Sequence, residues 1–252
     1  MIQQILELYQ GKFGFNRFYK NLLYNIDTWK EYHIQNTIFM SGLTIMKSKE
    51  FAGRIIANQG DVRVDLPAWF GNPESSIKIV IIGLEPRDTA SHLNIEKVEF
   101  NGENYVFAMP FAIERPGGKY HKAFQDLICR NDIFVYFTDV VKEYKVISKR
   151  VCQVITDIDK RISREDKMIN DKNARKNFPL KANECKEFLE KELNIIQPTV
   201  IIGLGNDSYN KLKEFTGDKY SIERATHPAA PYGNGAEKAK RDIERILSDL
   251  KI

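Results

Sequence analysis

Three short apolar runs, set apart by helical stretches, constrain the fold of this chain more than any other feature. They are "IKIVIIGL" (77–84), "DIFVYFTDVV" (132–141) and "TVIIGLG" (199–205), each bounded by polar turns. Each predicts a strand buried on both faces, with functional groups at its C-terminal end. Helical patterns lie between and after them: "KYHKAFQDLICR" (119–130), "NECKEFLEKELNIIQ" (183–197), "DSYNKLKEF" (207–215) and the closing "AEKAKRDIERILSDLKI". Strands alternating with helices predict a three-layer α/β/α domain around a central, mostly parallel sheet. Residues 1–70 carry aromatic and leucine positions at helical spacing and predict a helical N-terminal extension. "LPAWFGNPESS" marks the break, and residues 71–252 form the predicted α/β domain. Internal repeats and low-complexity tracts are absent from the sequence.

The 252 residues are 42% hydrophobic and 29% charged, the composition of a globular chain able to bury a sizeable core. No apolar run approaches the ~18 residues of a membrane span, and the start, "MIQQILELYQGKF", lacks a signal-peptide layout. A cytoplasmic protein is expected. Cys129, Cys152 and Cys185 form no CxxC pair, which argues against a disulfide framework or a metal knuckle. The net charge of +4 is unevenly spread: residues 142–186 hold 13 lysines and arginines against 7 acidic residues. Such a segment can follow a phosphate backbone, although a solvated pair of charged helices has the same composition.

In parallel sheets ligands sit beyond the carboxyl ends of the strands, so the residues leaving each strand matter most. These are "GLEPRD", "FTDVVKEY" and "GLGNDSYNKL", with "RATHPAAPYGNG" placing a His-Pro pair in a Gly/Pro-rich loop further on. Together they predict Glu85, Asp88, Asp139 and His227 around one crevice. Singly each has an ordinary structural reading, since a carboxylate past a strand often caps the next helix and glycine is the usual turn residue. The ordered set is what carries information.

That set resembles the uracil-DNA glycosylase superfamily from about residue 75 to the end. "IKIVIIGLEPR" is similar to the family's first motif, a strand ending in Gly-x-x-Pro. "VYFTDVVKEY" resembles its second, a hydrophobic run, Asn, then "VVK". "CKEFLEKELNIIQPTVIIGLGNDSYNKL" is similar to the bacterial thermostable branch, and "THPAAP" resembles the closing His-Pro-Ser motif. The chemistry agrees. Breaking an N-glycosidic bond builds positive charge on the sugar and negative charge on the departing base. The resemblance then gives Glu85, with Asp88 as the alternative, the task of steadying the cation or orienting water. It gives His227 the leaving base. A flipped base also needs an aromatic face, and Phe111 in "MPF" is favoured over Phe107.

Departures from the family pattern narrow the substrate. Asp139 stands where the family reads its pyrimidine with Asn. An amide can satisfy uracil, whereas a carboxylate only accepts and suits the exocyclic amine of cytosine. Arg87 stands where some members place a Tyr that excludes C5 substituents, which points to an oxygen-rich substituent such as hydroxymethyl or glucosyl, as in phage DNA. The branch's iron–sulfur cysteines are missing apart from Cys185, so neither cluster, metal nor other cofactor is expected. "HPAAPY" lacks the usual Ser and Leu, leaving Tyr232 as the substitute wedge into the vacated stack. The basic stretch 142–182 becomes a DNA-contacting insertion, with Lys142, Lys145, Lys149 and Arg150 as its contacts. The expectation is a monomeric, monofunctional DNA glycosylase acting on a modified cytosine, in antiviral defence. Its rivals are an ordinary uracil glycosylase of base-excision repair and a catalytically inactive DNA-binding module on the same fold. A nucleotide-binding α/β protein is weaker, since "GLG" lacks the full dinucleotide fingerprint.

Overall fold

The computed structural model describes residues 1–14, 58, 60–84, 94–108, 118–145, 164–230 and 233–252. Helix α1 (Ile2–Phe13) opens the chain, followed by strands β1 (Val62–Asp65), β2 (Ala68–Gly71), β3 (Lys78–Gly83), β4 (Asn94–Phe100) and β5 (Glu103–Ala108). Helix α2 (Lys119–Ile128), strands β6 (Phe134–Asp139) and β7 (Glu143–Lys145), and the long helix α3 (Arg164–Ile196) come next. Strand β8 (Val200–Leu204), helix α4 (Gly205–Thr216), strand β9 (Ile222–Ala225) and helix α5 (Gly235–Asp249) complete it.

The main sheet runs β2-β6-β3-β8-β9 and is parallel except for the antiparallel edge strand β2. Its inner strands read as uninterrupted Val/Ile/Phe because both faces are covered. Alternate residues of β6 show the two layers. Tyr136 and Thr138 turn toward Glu192 of α3, while Phe137 turns the other way and meets Phe124 of α2 edge-on at 5.1 Å. Helix α5 covers the second face with α2, presenting Gly235, Ala239, Ile243 and Ile246 at helical spacing. The three-layer α/β/α architecture is therefore as expected, with the central strands and three of the four later helices at or near their predicted places.

Two expectations fail. Residues 62–71 are strands, not helix, and the Pro/Gly break contains β2 itself. Helical spacing of aromatics cannot be told from short buried strands in so apolar a stretch, and β1 is buried along its whole length. Helix α3 also starts well before its predicted beginning, taking in much of the basic stretch.

A second sheet, β4-β5-β1-β7, was not predicted. Its β4–β5 hairpin turns on Asn101-Gly102, both with positive φ (52° and 79°), the conformation that a two-residue hairpin turn demands and that Asn-Gly adopts cheaply. Strand β1 pairs with β5 in parallel and with β7 antiparallel, and β7 begins four residues after Asp139. The small sheet thus branches from the C-terminal edge of the main one. Helix α1 packs onto α3 with Ile5, Tyr9 and Phe13 fully buried, and the Phe13 ring meets Tyr105 of β5 and Phe188 of α3.

Candidate active site at the C-terminal edge of the main sheet

Strands β3, β6, β8 and β9 end at one edge. Gly83 lies beside Asp139, and Leu204 beside Ala225, in parallel register. Asp139 is the last residue of β6 and is 6% exposed. Behind it the chain is pinned to its neighbour: Val140 N–H donates to the Gly83 carbonyl at 3.1 Å and Val141 N–H to the Leu84 carbonyl at 3.0 Å. The residue that reads a base by expectation therefore sits on backbone that cannot drift from the exit of β3. Glu85, Arg87 and Asp88, which follow that exit, lie outside the described residues, as do Phe111, Lys149, Arg150 and Tyr232.

His227 leaves β9 in the "THP" turn. Thr226 fixes the turn to α5, its N–H and its hydroxyl both donating to Asp242 Oδ2 at 2.7 Å. Helix α5 begins so close that a Cβ on Gly235 would stand 2.8 Å from the Pro228 carbonyl oxygen and 3.2 Å from that of His227. Only glycine fits there. On the other side a Cβ on Gly205 would lie 3.6 Å from the His227 Cβ, so the side chain stands over the start of α4.

The imidazole is fixed as well. Its Nδ1 accepts the Ala229 backbone N–H at 3.2 Å, which requires a lone pair on Nδ1 and assigns the hydrogen of the neutral ring to Nε2. His227 is thereby a neutral donor through Nε2. That is the form suited to a carbonyl gaining negative charge, because it needs no proton transfer to act. Nε2 lies 3.3 Å from the hydroxyl of Tyr120, in the first turn of α2, and the rings meet edge-on at 5.7 Å. Sequence reasoning overlooked Tyr120. Its only signal was position: it begins the helix that follows the segment holding Phe111.

Other candidates fare differently. Lys142, expected among the DNA contacts, is 1% exposed and its ammonium is paired with Glu192, while it donates to Thr138 Oγ1 at 2.6 Å. Such a side chain cannot reach a phosphate, and that assignment is corrected. Glu192 Oε1 accepts from Tyr9 at 2.9 Å and Tyr136 at 2.6 Å, so the buried charges sit in a hydrogen-bonded network behind the β6 terminus. Lys145 does lie at the surface, within 3.3 Å of Glu103. Phe107, the alternative stacking ring, is fully buried beside Tyr105 and offers no face to a base. Cys185 is buried in α3, its Sγ accepting the Lys142 N–H at 3.4 Å. Among the described residues no group of His, Cys, Asp and Glu is placed to hold a metal ion, and no helix is long and apolar enough to cross a membrane.

Comparison with curated protein sequences finds no match. Comparison with family models matches residues 69–251 to the uracil DNA glycosylase superfamily, from the edge strand β2 through α5. The match spans the main sheet, the Asp139 strand end and the His227 turn, and it carries with it DNA glycosylase activity and DNA as the partner. The chain belongs to the uracil DNA glycosylase superfamily.

Proposed function

We propose that this protein is a monofunctional glycosylase that removes a cytosine-type base, enlarged at C5 by hydroxymethyl or glucosyl, from phage DNA as a defence. The observation that carries the reading is Asp139 at the buried end of β6, beside the β3 exit. An acceptor-only carboxylate at that point suits an exocyclic amine and opposes the O4 of uracil. Burial sharpens the choice, because a polar group left unpaired there costs about 1–3 kcal/mol, enough to discriminate between bases. Arg87, close behind the β3 exit in sequence, supplies donors for oxygens on the C5 substituent.

In the reaction the base is flipped from the stack. The C1′–N1 bond breaks with its electron pair leaving on N1, and charge spreads to the O2 carbonyl. His227 Nε2–H donates to that carbonyl, Glu85 (or Asp88) steadies the sugar cation and orients water, and Phe111 stacks on the base. Water adds to C1′ and its spare proton neutralises the departing base. No lysine forms a Schiff base, so an abasic site is the product.

The test is a panel of duplexes carrying uracil, cytosine, 5-hydroxymethylcytosine or its glucosylated form, assayed for abasic sites. Release of modified cytosine, with Asp139→Asn shifting activity toward uracil, is the expected result. Release of uracil alone would sink the base-reading role of Asp139. No release from any duplex, with DNA binding intact, would identify an inactive binding module.

A further inference from the structure

We infer that Tyr120 is a second hydrogen-bond donor to the departing base, working beside His227. The inference rests on the glycosylase reading and extends its leaving-group site. Three features of the geometry lead to it. First, the tautomer of His227 is set by the Ala229 N–H, so at the 3.3 Å contact it is Nε2–H that donates and the Tyr120 oxygen that accepts. A phenol that accepts on a lone pair has its own hydrogen directed away from the imidazole. The two donor atoms stand 3.3 Å apart, a spacing at which one oxygen inserted beside them can accept from both.

Second, the phenol is held rather than free to swing. Its ring lies against Phe124 at 6.4 Å with near-parallel planes, and Phe124 in turn meets Phe137 of β6 at 5.1 Å. Phe137 is two residues before Asp139, so one aromatic ladder ties the Tyr120 position to the strand that carries the base-reading carboxylate. Third, Tyr120 is half-buried, between the fully buried ladder and the sheet edge where His227 stands. A fixed dipole at such a boundary stabilises developing charge without the reorganisation that water would need.

In the reaction Tyr120 keeps its proton. As the C1′–N1 electron pair moves onto the base, the O2 carbonyl gains charge and accepts two hydrogen bonds, from Tyr120 O–H and from His227 Nε2–H, which gives up its 3.3 Å contact with the phenol oxygen to do so. No atom is transferred to or from the phenol. Because the charge is greatest in the transition state, the donor raises kcat more than it tightens binding.

The experiment compares wild type, Tyr120→Phe and His227→Ala under single turnover. Substrates are duplexes with whichever base of the panel is released and its 2-thio analogue, whose sulfur is a poor acceptor. Tyr120→Phe should slow release from the oxygen substrate by roughly a hundredfold, the lower end of what loss of one oxyanion-type donor costs. Binding of an abasic duplex and the melting temperature should match wild type. On the 2-thio analogue the penalty should shrink to about twofold, since the acceptor is already weakened and the donor has little left to act on. An equal penalty on both substrates would overturn the assignment and make Tyr120 merely structural. Wild-type rates in Tyr120→Phe, with His227→Ala slow, would overturn Tyr120 and leave the glycosylase reading intact. Absence of release by the wild-type protein from every duplex would overturn both.

Discussion

Glu192→Ala should be the most destabilising single change in the support of the site. The carboxylate is fully buried and holds the Lys142 ammonium, which is itself 1% exposed. Removing one partner of such a pair leaves an uncompensated charge in a medium that cannot solvate it, at about 3–5 kcal/mol. Tyr9 and Tyr136 also lose their acceptor, each about 1 kcal/mol or more if no water enters. The terms share atoms and will not add fully, so about 4–5 kcal/mol is expected. That is a large share of the ~5–15 kcal/mol available to an ordinary domain. Glu192→Gln keeps an acceptor oxygen for the two phenols and should cost less, with the lost charge as its main term. Lys142→Met combined with Glu192→Ala removes both charges and should recover part of the loss. Urea unfolding at neutral pH, read by linear extrapolation, measures all three. A cost below about 1 kcal/mol for Glu192→Ala would refute the reasoning, as would a double variant less stable than that single one.

Two further changes probe other parts of the structure. Gly235→Ala forces a methyl to 2.8 Å from the Pro228 carbonyl, so the His227 turn must shift. Base release should fall at least tenfold, since a misplacement of about 1 Å can cost a hundredfold, and the melting temperature should fall too, because the obstructing atoms are backbone and overpacking costs about 1–3 kcal/mol; an unchanged rate would show that the turn tolerates the shift. Burial pushes the Asp65 carboxyl up to about 7 from 3.8, despite the opposing Arg63 guanidinium 3.6 Å away. The folded state then binds more protons than the unfolded between these values. This group's contribution is fully present below about pH 4 and is lost as pH rises through about 7. Asp65→Asn should therefore be relatively more stable at pH 8 than at pH 5, compared with wild type, and a difference that does not move with pH would count against the buried carboxyl as its source.

The main sheet was legible because full burial on both faces leaves an unbroken apolar run, and the end of one such run placed Asp139 at the candidate edge, which the Gly/Pro-rich loop with His227 joins. The small sheet was not, because its strands mix charge with apolar residues: β1 reads "VRVD" yet buries Arg63 and Asp65. Its hairpin did leave a signal in Asn101-Gly102. Strand β9, "IERA", is short and half-polar, and only its parallel partner β8 makes it a strand. Lys142 misled for a general reason. Lysine in a basic stretch is nearly always solvated, and only a carboxylate 50 positions away in sequence, at Glu192, gives it a buried place. Tyr120 was invisible because its contact with His227 spans 107 positions.

The Tyr9–Glu192 hydrogen bond joins residues 183 positions apart. During synthesis α1 leaves the ribosome early, with Ile5, Tyr9 and Phe13 exposed, and must wait for α3 before it can bury them. The loop closed by that docking is among the longest the chain can make, and its entropic cost falls on the final stage of folding. Helix α1 also lies outside the segment shared with the family. A fragment cut to residues 69–251 would begin within β2 and lack both α1 and β1, exposing Phe188 and removing one of the phenols that hold Glu192. The segment shared with the family and the segment needed to bury Glu192 are therefore different pieces of chain.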